Sequence, residues 1–141
     1  MSKVSIYAAS APTFVRMLKN LAAMLNKAEA HAKSKNFDVT TLLNDRLAPD
    51  MFTLMRQIQI ATDHAKGAMA RLANQAPEAI EDKEVTLADL QARIAKVIAI
   101  VESFKPEQLE GAENREVSIK IPGSELKFDG MTYLNSWALP N

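Results

Sequence analysis

The sequence predicts a mainly α protein, an up-down bundle of three long helices with a short β-hairpin near the C-terminus. Two observations carry this. Along three separate stretches apolar residues recur at steps of three and four, the period of an amphipathic helix, in a chain of 141 residues with 22 alanines and only four glycines. Such a composition favours helix. Near residue 117 the period changes to two, the alternation of a half-buried strand. A chain of this length fits one domain with its own core, spanning residues 1–141.

Ser10-Ala11-Pro12 reads as a helix start, because proline in a first turn has its φ preset and lacks an amide that would be unpaired anyway. Phe14, Leu18, Leu21, Leu25, Ala28 and Ala32 then form one stripe, widened by Met17 and Met24, and this helix should end near Lys33. Residues 37–47 read as a connection with a short helical turn, capped by Asp38 and anchored by Leu42, Leu43 and Leu47. Pro49 marks the expected start of the second helix. Its stripe is Met51, Leu54, Met55, Ile58, Ala61, Thr62, Ala65, Met69 and Leu72, with Gly67 inside it, where a glycine usually permits close helix approach. Residues 74–84 contain Pro77 and four acids and read as an exposed connection. Thr86 and Asp89 resemble a capping box that opens the third helix, whose face is Leu87, Leu90, Ile94, Val97, Ile98, Val101 and Phe104, limited by Pro106. Val117, Ile119 and Ile121, then Leu126 and Phe128, alternate with polar residues on either side of Pro122-Gly123-Ser124, which predicts a hairpin over about 116–129. Two strands alone are marginal, so the hairpin must pack on the helices. The tail from Met131 to Leu139 is apolar and aromatic, with Tyr133, Leu134 and Trp137.

Charge and composition narrow the function. Seventeen basic and seventeen acidic residues give a formal net charge of zero, so there is no basic excess to displace counterions and no nucleic-acid partner is expected. Residues 1–70 carry +4 and residues 71–141 carry −4, an asymmetry read as solvated surface. The absence of cysteine excludes a disulfide scaffold, a thiolate zinc site, an iron–sulfur cluster and a cysteine nucleophile. The opening Met1 to Tyr7 lacks the pattern of a secretory signal, and no run of ~18 apolar residues is present. The expectation is a cytoplasmic protein with no membrane contact.

Leu42-Leu43-Asn44-Asp45-Arg46-Leu47-Ala48-Pro49-Asp50-Met51, followed by Gln57-Ile58-Gln59-Ile60-Ala61 and Asp63, form a recognisable pattern. Ser5-Ile6-Tyr7, Leu90-Gln91-Ala92-Arg93-Ile94, Tyr133-Leu134 and Ala138-Leu139-Pro140-Asn141 extend it over the whole chain. The sequence resembles an uncharacterised bacterial family, catalogued as domain of unknown function nineteen-ninety-three, in the DinB/YfiT-like superfamily. The resemblance implies a four-helix bundle with an extra hairpin before the last helix, in a superfamily described as metal-dependent enzymes. Relatives continue past Leu-Pro-Asn with aromatic residues and a fourth helix containing His, whereas this sequence stops at Asn141, so the C-terminal helix is expected to be missing. The superfamily's metal site pairs a His on the second helix with two on the fourth, one turn apart; no such pair occurs here.

Only His31 and His64 are available as imidazole donors. His31 lies near the C-terminus of the first helix, where a partly charged ring suits the helix dipole. His64 is the one candidate metal ligand, and the histidine count does not support a divalent metal. Asp50, Gln57 and His64 make a polar row at intervals of seven, successive members ~10.5 Å apart along the axis and too far to share a metal. Asn44, Arg46 and Asp50 sit at a loop-to-helix junction, where Asp50 would favour the positive helix end and Arg46 would anchor the loop through a carboxylate or meet a small anion. With Gln57 they are the candidate ligand-binding residues. Gln59, Asp63 and Lys66 read as surface pairing on the opposite flank. No phosphate loop, nucleophile elbow or H-E-x-x-H is present, and no catalytic residue is assigned. The expected role is a small-ligand-binding or assembly module without demonstrable catalysis in this form, as a homodimer that covers the open side of three helices and Trp137. The alternative is a metal-dependent hydrolase or transferase of the superfamily.

Overall fold

A computed structural model describes residues 4–141. Helix α1 spans Ile6–Ser34. It begins four residues before the expected start because Ser5 is the cap, its hydroxyl accepting from the Ala8 amide at 3.1 Å. Ser10 lies buried inside the helix and donates to the Ile6 carbonyl at 2.7 Å. Pro12 is tolerated within α1 because it is exposed, as is Ala8, whose carbonyl lies four residues back and loses its amide partner.

The short helix α2, Thr40–Leu43, follows a turn in which Asp38 Oδ1 accepts from the Thr40 amide at 2.8 Å. Leu43 is fully buried, but Leu47, expected as a second anchor, is 94% exposed. Helix α3, Leu54–Leu72, starts five residues after Pro49 and is capped by the Thr53 hydroxyl, which accepts from the Arg56 amide. What displaces the start is the loop itself. Arg46 donates to the Met51 carbonyl and the Leu54 amide donates to the Asp45 carbonyl, holding residues 45–53 as a non-helical arch. Met51 therefore leaves the buried stripe.

Helix α4, Leu87–Ser103, opens on the expected capping box of Thr86 and Asp89, and Asp89 accepts from the Val85 and Thr86 amides at 3.0 and 2.8 Å. Two 3-10 turns, Pro106–Leu109 and Ala112–Asn114, bury Leu109 and Ala112. Strands β1, Glu116–Ile121, and β2, Ser124–Asp129, pair antiparallel from Glu116 with Asp129 to Ile121 with Ser124. The turn between them is Pro122-Gly123, with Gly123 at φ +77°, the left-handed second position of a type II turn. Val117 and Ile119 are buried, so one hairpin face packs inward as its marginal stability requires.

Helix α5, Gly130–Tyr133, is capped by Asp129, which accepts from the Thr132 amide at 2.8 Å. It widens into a π turn over Leu134–Ala138, where the Leu139 amide reaches the Leu134 carbonyl five residues back. Gly130 is required by contact: a Cβ there would lie 1.8 Å from the Ala112 carbonyl oxygen. Tyr133 and Leu134 are fully buried. Phe128 of β2 meets the Tyr133 ring at 6.3 Å and the Trp137 ring at 6.0 Å, both tilted, and so joins the hairpin to the tail. Three long helices, with α4 packed along both α1 and α3, enclose the core. Among the described residues no helix is long and apolar enough to cross a membrane.

Candidate functional site: a cleft between α1 and α3

Helices α1 and α3 both pack on α4 and touch one another far less. The space between them is a cleft of about 480 Å³, walled by Met17, Leu21 and Met24 of α1, Ala61 and His64 of α3, and Leu139 of the tail. Met17 and Met24, expected to widen a buried stripe, are 59% and 56% exposed. The stripe of α1 is wider than α4 can cover, and its outer edge forms the cleft wall.

His64 is the polar group on the α3 side. Its pKa is held below the ordinary 6.5, first by burial and next by the charge of Arg71, against a smaller opposing pull from Asp63. The cleft thus presents a neutral imidazole at neutral pH. Arg71 folds back along its own helix over Gly67, where a Cβ would stand 2.5 Å from Nη1. Gly67 therefore makes room for a guanidinium, whereas the sequence suggested close helix approach. Arg71 Nη1 donates to the Tyr133 hydroxyl at 3.2 Å, while burial pushes that phenol's pKa up. Among the described residues no group of three or more His, Asp or Glu side chains could hold a metal ion.

The candidate ligand-binding residues are only partly brought together. Asp50 lies in the arch before α3, not on the helix, so the row of Asp50, Gln57 and His64 shortens to its last two members. Arg46 and Gln57 line a second, mostly apolar hollow with Leu42, Leu47, Met51, Phe52 and Leu54, which neither Asn44 nor Asp50 lines. Asn44 donates to the Thr40 carbonyl at 3.0 Å, closing α2. Arg46 anchors its loop through a carbonyl, where the sequence suggested a carboxylate. His31 is exposed at the end of α1, its ring edge-on to Phe37 at 6.0 Å.

The most connected polar group was not singled out by sequence reasoning. Arg93 of α4 has 1% of its side chain exposed. Its Nε donates to Thr62 Oγ1 at 2.7 Å, Nη1 to Glu84 Oε1 at 3.0 Å and the Glu81 carbonyl at 3.3 Å, and Nη2 to Asp63 Oδ1 at 2.9 Å. Asp82 completes the set at 3.0 Å from Nη1. Burial works to lower the guanidinium's pKa, but the Glu84 hydrogen bond and the charges of Asp63, Glu84 and Asp82 raise it. Gln59 and Lys66, expected at the surface, are buried in the same network: Gln59 donates to Glu84 Oε2 at 2.8 Å, and Lys66 pairs with Asp63 at 3.2 Å. One signal was available in the sequence, the four acids of residues 78–84, which outnumber the cations of their own segment.

The family model described as "Domain of unknown function (DUF1993)" matches residues 6–141. The chain belongs to this family. Among solved structures, the DUF1993 chain is similar to the crystal structure of a DinB family member protein from Shewanella denitrificans. That similarity has a TM-score of 0.85 and 40% identity, over 96% of this chain and 76% of that one. No curated protein matches. The DUF1993 chain is thus DinB-like, mainly helical with a C-terminal hairpin.

Proposed function

We propose that this DUF1993 domain is an assembly module whose cleft between α1 and α3 receives an apolar helix face from a second copy of the chain. The observation that carries the reading is the pairing of two half-exposed methionines, Met17 and Met24, with Leu21 and Leu139 around a cleft whose α3 side offers a neutral His64. Methionine adapts its shape to whatever packs against it. The outer edge of α1 is itself an apolar helix face, so the same surface serves both copies, as a two-fold interface requires. Zero formal net charge leaves little repulsion to oppose pairing. A cytoplasmic setting without nucleic-acid or membrane partners belongs to the same proposal, supported by the balanced charge and the lack of cysteine.

Sedimentation velocity tests it. At about 100 µM, far above a Kd of order 1 µM, the chain should sediment as a dimer, and Met24→Glu should return it to monomer with its helical content unchanged. A wild-type monomer at that concentration overturns the reading and leaves the cleft to a small apolar ligand.

A further inference from the structure

We propose that residues 74–86, between α3 and α4, form a strap latched by ion pairs that opens in acid before the bundle unfolds. The segment has no helix or strand, and its half-buried apolar side chains are Pro77 and Ile80. Its attachment is polar. Glu84 accepts from Arg93 at 3.0 Å and from Gln59 at 2.8 Å, Asp82 pairs with both Arg93 and Arg56, the Glu81 carbonyl accepts from Arg93, and Glu78 pairs with Lys96 at 2.7 Å. The other charges facing this latch are Asp63 and Lys66 of α3, paired with each other, and Asp89 of α4, which holds the Val85 and Thr86 amides. Lys83 pairs outward with Glu81.

The latch fails in one direction because its guanidinium partners, Arg93 and Arg56, are permanently charged and its carboxylates are not. A guanidinium keeps its proton at every accessible pH. As Glu84 takes up its proton, Arg93 remains a cation at 1% exposure with its most buried counter-charge gone, and a buried charge short of its partner is poorly tolerated. Lifting the strap lets water reach Arg93 while the contacts of α1 with α4 stay intact. Burial works to raise the Glu84 pKa, but its hydrogen bonds and the nearby Arg93 hold it below the ordinary 4.5. Glu84 therefore contributes stability above that value, and the contribution is lost as pH falls through the lower folded pKa.

Backbone 15N relaxation across a pH titration reads this directly. At neutral pH residues 78–84 should be as ordered as α1, with order parameters of about 0.85. At low pH they should drop below about 0.6 while α1 and α4 remain rigid. The Arg93 Nε–H should begin to exchange with water over the same range. Glu84→Gln, which keeps the shape and removes the charge, should loosen the strap already at neutral pH. A strap that stays ordered until the helices melt, or one that is mobile at neutral pH in the wild type, overturns the proposal.

Discussion

Arg93 and His64 lie on neighbouring helices and answer to pH in different ways. Arg93 holds its charge throughout, so its removal strands the nearly buried Glu84 without its cation. Arg93→Met should lower stability by roughly 3–5 kcal/mol, seen as a shift of the urea midpoint. In the sequence Arg93 falls within the stripe of Leu90, Ile94 and Val97, and an arginine in that position looks the same whether its head meets water or carboxylates. Its partners sit 9 to 34 residues away, beyond any helical period, which is why spacing could not find them. His64 titrates. Its folded pKa lies below 6.5, so as pH falls the unfolded chain binds a proton first and stability declines from about pH 6.5 downward until the folded ring also protonates. His64→Gln should flatten that slope, measured by urea melts on either side of the histidine range.

At the scale of elements, the signals that proved reliable were short-range ones. The hairpin over 116–129 and the capping box of Thr86 and Asp89 stand where the alternation and the four-residue motif put them, because both depend on neighbours in sequence. The starts of α1 and α3 differ from expectation for a shared reason: in the sequence Pro12 and Pro49 both look like first-turn prolines. In fact Ser5 and Thr53 supply the caps, the first because an exposed proline is tolerated inside a helix, the second because Arg46 and Asp45 hold an arch that sequence alone does not reveal. The junction of β2 and α5 rests on Gly130. Gly130→Ala would drive a Cβ into the Ala112 carbonyl, a backbone atom with little freedom to yield, and should destabilise by about 3 kcal/mol, measured by thermal melting. Arg115, which donates to the Leu72 carbonyl at the end of α3, ties the same region to the bundle.

For the molecule as a whole, the residues after the hairpin are part of the core. Tyr133 and Leu134 are fully buried and Ala138 nearly so; at about 1.5–3 kcal/mol for each large side chain, their loss approaches the 5–15 kcal/mol that holds a typical domain together. A chain ending at Asp129 should therefore lose its cooperative calorimetric transition. The division into three long helices and a hairpin was legible because amphipathic periods report which residues face inward. The cleft was not, because Met17 and Met24 occupy stripe positions indistinguishable from core until the packing angles of α1 and α3 on α4 are known. Trp137, the single tryptophan of the chain, packs at a tilt against Phe128 immediately before the residues that wall the cleft. The protein thus carries its own optical reporter at that seam. Its emission should move to shorter wavelength when the cleft fills and to longer wavelength when the tail lifts, so both events can be followed in unlabelled protein with a fluorimeter.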